Sequence, residues 1–346
     1  MRLSDFYKQK TSNGVPLVLV TVYETAGSTY SKAGGQMIID GDGNFFGMLS
    51  GGCLEGDLVE RARSVIRTGD AQTASYDLSS DDELWGLGVG CDGTMHVLLQ
   101  PLLPESDYQP FATVADILEG GEPARVAIVI RSDDTAISPG ASLVMEDGRA
   151  TCFGMGDEVA RAIADDIPES VPAHTRQVEI PGGRCVVLFA SVAPPPALLI
   201  LGAGLDSEPV VRIAMELGWR CTVVDHRPAY IEGRSYPEST KTLCAPVDEL
   251  SDRIDFSGID MAVVMSHHLA SDRSYLRQLA RSGVGYVGLL GPPGRRDRLV
   301  SELGDAADAL AGRLHGPAGI DLGGRGPGPI ALAIIAEMQQ YLGQQS

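Results

Sequence analysis

Residues 197–228 read ALLILGAGLDSEPVVRIAMELGWRCTVVDHRP. A continuous apolar run meets a Gly-x-Gly turn, Gly202 and Gly204. A helical stretch follows, and a second apolar run ends on an acid, Asp225. These are the parts of a dinucleotide-binding strand–turn–helix–strand unit: glycines for close backbone approach, a helix N-terminus for pyrophosphate and a carboxylate for ribose hydroxyls. Three features depart from that pattern. Ser207 replaces the third glycine, Asp206 and Glu208 bring negative charge to the pyrophosphate position, and His226 and Arg227 follow Asp225. The same turn serves equally as packing, with Asp206 or Ser207 as an N-cap.

Further along, MAVVM at 261–265 and GYVGLL at 285–290 are also short, continuous apolar runs. Such runs suit strands buried on both faces of a parallel sheet. Helical segments at 207–217, 271–282, 293–303 and 328–341 separate or follow them. On the N-terminal side stand three consecutive prolines, 194–196, which continue neither a helix nor a central strand. The seam divides the α/β chain in two: an N-terminal mixed α+β domain, residues 1–193, and a Rossmann-like doubly wound parallel-sheet domain, residues 197–346.

Before the seam, strand-like runs recur: PLVLVTVY, GQMIID, NFFGML, TMHVLLQPL, ARVAIVI, ASLVME and GGRCVVLFA. The region is weakly duplicated. QMIIDGDGNFFGMLSGGCLEGDLVERARSVI (36–66) is echoed by SLVMEDGRATCFGMGDEVARAIADDI (142–167), each giving two strands around an Asp-Gly turn, a glycine corner and a helix. Only the first copy carries Gly51-Gly52-Cys53, and packing alone gains nothing from that asymmetry.

The 346 residues are 44% hydrophobic, enough for a core in each domain. A formal net charge of −19 argues against wrapping nucleic acid, which needs clustered Lys and Arg. No apolar run reaches the length of a membrane span and the first residues lack a signal-peptide stretch, so the cytoplasm is the expected location. Six cysteines with no C-x-x-C pair fit neither a disulfide scaffold nor a zinc finger. Cys152, Cys185 and Cys221 fall in strands, where free cysteine is an inert small hydrophobe, and Cys244 is ambiguous. Cys53 and Cys91 instead follow glycines in turns, and glycines 86, 88, 90 and 93 around Cys91 permit close backbone approach to a ligand. Helical register puts Leu54, Leu58, Ala62 and Val65 on an apolar stripe and Cys53 on the polar flank with Asp57, Glu60, Ser64 and Arg67. A thiol in the first helical turn is drawn toward thiolate by the helix dipole, whereas Glu55 and Asp57 oppose it.

Several longer segments resemble the XdhC/CoxI accessory proteins of molybdenum hydroxylases. AGSTYSKAGGQMIID, LSGGCLEGDLVERA and GLGVGCDGTMHVLLQPL are similar to that family's N-terminal motifs. LLILGAG, CTVVDHRPAYI, VVMSHHLASDRSYL, YVGLLGPPGRRDRL and LHGPAGIDLGGRGPGPIALAIIAEM are similar to its second domain. Leu205 stands where that family often has His, Ser266 where Thr is common, and Pro329 within a segment usually reading Pro-Glu-Glu-Ile. The resemblance implies a maturation factor. It would bind molybdenum cofactor (molybdopterin) transiently, protect it while a cysteine desulfurase installs its sulfido ligand, and insert it into a molybdenum hydroxylase apoenzyme of the xanthine dehydrogenase or carbon monoxide dehydrogenase type. Cofactor binding there is associated with the cysteine segments and the cleft between domains. This nominates Cys53 and Cys91, also as metal ligands, with Gly51 and Gly52, and Gly202, Gly204, Asp225 and His267 in the second domain.

Other polar residues compete for roles. His267 and His268 end a strand, where ligands gather in such folds, and adjacent extended residues point to opposite sides. Arg295 and Arg296 at a helix start suit a phosphate or a salt bridge, Asp321 a turn or a crevice, and Ser28, Thr29, Ser31 and Lys32 an anion or an ordinary loop. The rival readings are an NAD(P)-dependent oxidoreductase using the second domain and a ligand-free assembly scaffold. A homodimer is left open.

Overall fold

The structure, a computed structural model, describes residues 2–78, 93–120, 122–169 and 172–345. The chain divides into two compact units, Arg2–Pro194 and Pro195–Ser346.

The first unit opens with α1 (Leu3–Thr11), β1 (Leu17–Gly27), β2 (Gln36–Asp40), β3 (Phe45–Phe46), α2 (Glu55–Thr68), β4 (Gln72–Asp77) and β5 (Gly93–Leu102). After α3 (Phe111–Leu118) the pattern recurs as β6 (Ala124–Ser132), β7 (Ser142–Glu146), β8 (Arg149–Phe153), α4 (Asp157–Asp166), β9 (His174–Ile180) and β10 (Gly183–Val192). Each copy forms a five-stranded antiparallel sheet, ordered β3-β2-β1-β5-β4 and β8-β7-β6-β10-β9. The duplication therefore covers a whole β-β-β-α-β-β unit, more than the strand-turn-strand-helix echo in the sequence.

Period-two alternation builds the layers. Leu17, Leu19, Ile38, Leu98 and Leu102 of the first sheet share one core with Val126, Ile128, Ile130, Val144 and Leu188 of the second, together with α1 and α3 residues. On the opposite face Val18, Val20, Met37, Val97 and Leu99 pack with Leu58, Ala62 and Val65 of α2. The second copy repeats this with Val129, Leu143 and Val187 against Val159 and Ile163 of α4. Both faces of β1 are covered, so PLVLVTVY reads as continuous apolar sequence although its sheet is antiparallel.

The second unit comprises β11 (Ala197–Leu201), α5 (Ser207–Glu216), β12 (Arg220–Asp225), the short α6 (Pro228–Glu232), β13 (Lys241–Cys244) and the short α7 (Leu250–Arg253). It continues with β14 (Met261–Val264), α8 (Leu269–Ala280), β15 (Tyr286–Leu289), α9 (Pro293–Leu303), β16 (Leu314–His315) and α10 (Pro327–Gln345). All six strands are parallel in the order β13-β12-β11-β14-β15-β16, the doubly wound Rossmann arrangement. Leu198 and Ile200 pack under α5 and α10, while Leu199 and Leu201 pack under α8 and α9. Strand order reverses between β11 and β14, which places the crevice of the fold at their carboxyl ends.

Among the described residues no helix is long and apolar enough to cross a membrane. Leu98 is fully buried between the two sheets, whereas Leu205 is 68% exposed. Leu98→Ala is expected to cost the first unit about 2–5 kcal/mol by leaving a cavity, and Leu205→Ala to stay within about 0.5 kcal/mol. Urea unfolding of both variants checks the contrast.

Candidate functional site

Three connections of the first copy leave the same end of its sheet. β1 ends at Gly27 opposite Gly93, where β5 begins, and β4 ends at Asp77 opposite Thr94. The 28–35 loop starts there, and so does the 47–54 loop that follows β3 and leads into α2. Ser31 Oγ donates to the Met48 carbonyl at 3.2 Å and so ties those two loops together. Gly93 is pressed against the first of them, since an added Cβ would come within 2.6 Å of the Ser28 carbonyl.

The 47–54 loop is held by one buried carboxylate. Glu55 Oε1 accepts from the N–H groups of Leu49 (3.2 Å) and Ser50 (3.1 Å), and Oε2 from Leu54 N–H (3.1 Å) and the Ser50 hydroxyl (2.7 Å). Ser50 Oγ accepts in turn from the N–H groups of Cys53 (3.1 Å) and Leu54 (2.8 Å). Burial pushes the Glu55 carboxyl upward, but Ser50 and the backbone donors outweigh it and hold the pKa below the usual value. Gly51 and Gly52 both take left-handed φ, +76° and +112°, which explains the Gly-Gly pair. Their N–H groups have no hydrogen-bond partner among the described residues.

Cys53 is half-buried and carries a free thiol. Helix α2 begins only at Glu55, with Leu54 at its N-cap position, so Cys53 lies before the helix rather than in its first turn. The core-facing set is Glu55, Leu58, Ala62 and Val65, and Leu54 is only partly buried. The expected helical register of Cys53 is corrected accordingly, because the Ser50–Glu55 lock delays the helix. The second opposing charge, Asp57, is paired. It accepts from Arg61 Nε and from the Tyr76 hydroxyl, both at 2.6 Å.

Cys91, with glycines 86, 88 and 90, lies outside the described residues. Of the other cysteines, Cys185 and Cys221 are buried, and desolvation raises both thiols, Cys221 to about 12. Cys244 is exposed. The hydroxyl loop is engaged with itself: Thr29 Oγ1 donates to the Ser31 carbonyl, and Lys32 Nζ lies 3.3 Å from Thr29 Oγ1. Among the described residues no group of three or more His, Cys, Asp or Glu side chains is arranged to hold a metal ion.

At the crevice of the second unit, Gly202 (φ +124°) admits no side chain, since a Cβ would lie 2.6 Å from the Met265 carbonyl. Asp225 ends β12 as the fingerprint requires but is turned inward and 1% exposed. Its Oδ2 accepts from Ala203 N–H and Arg227 Nη2, both at 2.8 Å, and its Oδ1 from Arg227 N–H and Nε, both at 2.9 Å. Burial raises its pKa, and the Arg227 and backbone donors more than reverse that. The carboxylate thus spends its acceptor sites within the protein, and Arg227 also stacks on Tyr230, 3.5 Å from the ring centroid.

Asp206 occupies the N-cap position of α5 without capping it. Its Oδ2 meets His267 Nε2 at 2.7 Å, and its Oδ1 is buried without a partner. His267 takes a left-handed φ of +60° to reach it. His268 points elsewhere and caps α8 through Ser271 N–H. Ser207, in place of the third glycine, is buried and donates to the Gly204 carbonyl at 2.7 Å. Asp272 binds the Ser266 hydroxyl and holds Arg295 Nη2 at 2.6 Å, so Arg295 is a salt-bridge partner in this structure. Asp321 accepts from Gly323 N–H, an ordinary turn contact.

The architecture defines a Rossmann α/β protein preceded by a duplicated antiparallel-sheet unit whose first copy bears the cysteine connections. The XdhC Rossmann domain model matches residues 198–338, and the XdhC and CoxI family model matches residues 11–77. A Bacillus subtilis relative, named as a probable subunit of xanthine dehydrogenase, is 30% identical over 327 residues, 93% of this chain and 92% of its own length. The chain belongs to the XdhC and CoxI family. The molybdenum cofactor insertion chaperone PaoD of Escherichia coli is 32% identical over 102 residues, 28% of this chain and 32% of its own. A crystal structure described as a xanthine dehydrogenase from Bacillus halodurans superposes with a TM-score of 0.81 at 28% identity, covering 100% of this chain and 97% of that one.

Glu55 yields a pH prediction. Its folded pKa lies below the ordinary 4.5, so its stabilisation is fully present above that value and is lost as pH falls through the lowered one. Glu55→Gln should destabilise the first unit by about 1–3 kcal/mol at pH 7. The gap to the native chain should narrow on acidification below pH 4.5, as followed by urea unfolding across pH.

Proposed function

We propose that this chain is a maturation factor for molybdenum hydroxylases: it receives molybdenum cofactor as cargo, shields it while a cysteine desulfurase supplies the sulfido ligand, and passes it to the apoenzyme. The observation that carries the reading is the inequality of the two copies. The first connects β4 to β5 through residues 78–92, which include Cys91, where the second uses only Pro181 and Gly182 between β9 and β10. It also connects β3 to α2 through residues 47–54, which include Cys53, where the second uses 154–156 between β8 and α4. The relatives' names, one of a cofactor insertion chaperone and one of a component of xanthine dehydrogenase, support the same role.

In this reading Cys53 and Cys91 supply sulfur next to the metal or its dithiolene. The N–H groups of Gly51 and Gly52, without partners among the described residues, supply donors to the cargo's oxygen atoms. Glu55 keeps the turn open by binding Ser50 and Leu54, which leaves Cys53 outside the helix and half-exposed. In the second unit Gly202, Gly204 and His267 mark a crevice that this reading keeps as a cofactor-binding position of that unit alone. Its saturated Asp225 favours this over the NAD(P)-dependent oxidoreductase.

Cys53→Ala and Cys91→Ala should each lower retained molybdenum and activation of a partner hydroxylase by about tenfold or more, the effect of losing about 1.4 kcal/mol of binding. Cys152→Ala, in the second copy, should change neither. Metal content and hydroxylase assays decide it, and unchanged values for both Cys53→Ala and Cys91→Ala would remove the cysteines from the mechanism. For the rival, NAD⁺ or NADP⁺ at millimolar concentration should leave Tm unmoved. A nucleotide present at about 100 times its Kd would stabilise by about 2.7 kcal/mol and shift Tm visibly.

A further inference from the structure

The two copies supply each other's control, and one residue of the first stands out. The 28–35 loop and the loop from β6 to β7 close on their next strands through the same backbone hydrogen bonds. Gly34 N–H donates to Val22 and Gly140 N–H to Val129, Gly35 N–H to Lys32 and Ala141 N–H to Ser138. Gly34 and Gly140 have φ of +89° and +88°. Counted back from these matched ends, Ser31 falls opposite Ile137 and Tyr30 opposite Ala136. In the second copy Ile137 is driven into the core under α4. In the first copy Ser31 instead holds the Met48 loop, and Tyr30 projects into solvent with 63% of its surface exposed.

Tyr30 does not stand over a random surface. A methyl group placed on Gly51 would touch its ring at 3.8 Å, whereas one on Gly52 would meet nothing within 4 Å. Among the described residues the ring therefore borders a backbone turn bare of side chains, beside Cys53. Tyr30, Phe45 and Met48 are the exposed large hydrophobic residues of the first unit among the described residues, and all three belong to the first copy. An exposed aromatic face against a Gly-Gly turn whose N–H donors have no partner among the described residues suits a flat heterocycle carrying polar edges.

We propose that Tyr30 is the stacking platform for the pterin ring of the cargo held at the Gly51–Gly52–Cys53 turn, an inference that rests on the cofactor reading above. The ring gives the heterocycle a π-face, while the glycine N–H groups and the Cys53 thiol meet its polar and metal-bearing end. The second copy, with Ala136 in the equivalent place and short connections, offers no such surface.

The test uses the full-length chain, isolated molybdenum cofactor under anaerobic conditions, and molybdenum retained after gel filtration over a range of protein concentrations. Tyr30→Ala and Tyr30→Leu are expected to weaken retention at least about fivefold, the equivalent of about 1 kcal/mol of stacking. Tyr30→Phe is expected to retain native affinity, and Tm to stay unchanged in all three because the side chain is exposed. Leu keeps apolar bulk without the π-face, so a native-like Tyr30→Leu overturns the stacking assignment. Native retention by Tyr30→Ala overturns it as well, and leaves the cofactor reading standing. No retention by the native chain overturns the cofactor reading and this inference together.

Discussion

The central strands of every sheet are covered on both faces. The first is closed by α2 and by the second sheet, the second by α4, and the parallel sheet by α5 and α10 on one side and α8 and α9 on the other. That leaves solvent-facing sheet surface mainly on edge strands such as β4, β8 and β9, and the polar candidate residues fall on the connections at strand ends. In the first unit these are the 28–35 and 47–54 loops and the segment flanked by Asp77 and Gly93. In the second they are the ends of β11, β12 and β14.

Confinement to loops creates a positioning problem, because a loop without a core partner has no fixed shape. The first unit solves it with a buried charge. Glu55 occupies a core-facing position of α2, where an apolar residue would pack without cost, and is there only because four donors meet its two oxygens. The bonds are spent on Leu49, Ser50 and Leu54, and Ser50 passes the restraint to Cys53. The second copy has Asp157 at the start of its helix and no long loop to hold. A carboxylate that looked from its charge like an opponent of the thiolate is instead the device that fixes where the thiol sits.

Strands with two buried faces were legible in the sequence because they need apolar residues at successive positions. β1, β2, β5, β6, β7 and β10, and β11, β12, β14 and β15, all coincide with such runs. β8 was legible from the Asp-Gly turn that pairs it with β7, whereas β4, β9, β13 and β16 carried no comparable signal. QTASYD and HTRQVEI lie at sheet edges with one side toward solvent, and β16 is two residues long. Cys53 was legible from the glycines before it, since consecutive left-handed residues demand them. Its position before the helix was not, because helical periodicity extends Leu54 into the stripe and cannot see the Ser50–Glu55 lock. Tyr30 was hidden in an ordinary loop composition. Only counting back from the matched closing ends of the 28–35 and β6–β7 loops sets Ala136 opposite it.

The second unit shows how a fingerprint can persist while its atoms change employment. Gly202 remains because the β11 turn runs against Met265, a packing demand independent of any ligand. Asp225 remains at the end of β12, yet Arg227 forks both of its oxygens and the Ala203 N–H takes another acceptor site, so it fastens the glycine turn from within. Asp206 has left its capping duty for His267, and a non-glycine residue adopts a left-handed conformation to meet it. Such a conformation costs of order 1–3 kcal/mol and persists only where the surroundings enforce it. The fold retains the crevice at the point where strand order reverses, but it is crossed by an acid–imidazole contact, with no carboxylate oxygen offered from β12. Backbone pattern and strand order therefore identify a Rossmann unit here, and side-chain hydrogen bonding shows which atoms of its fingerprint are engaged within the protein.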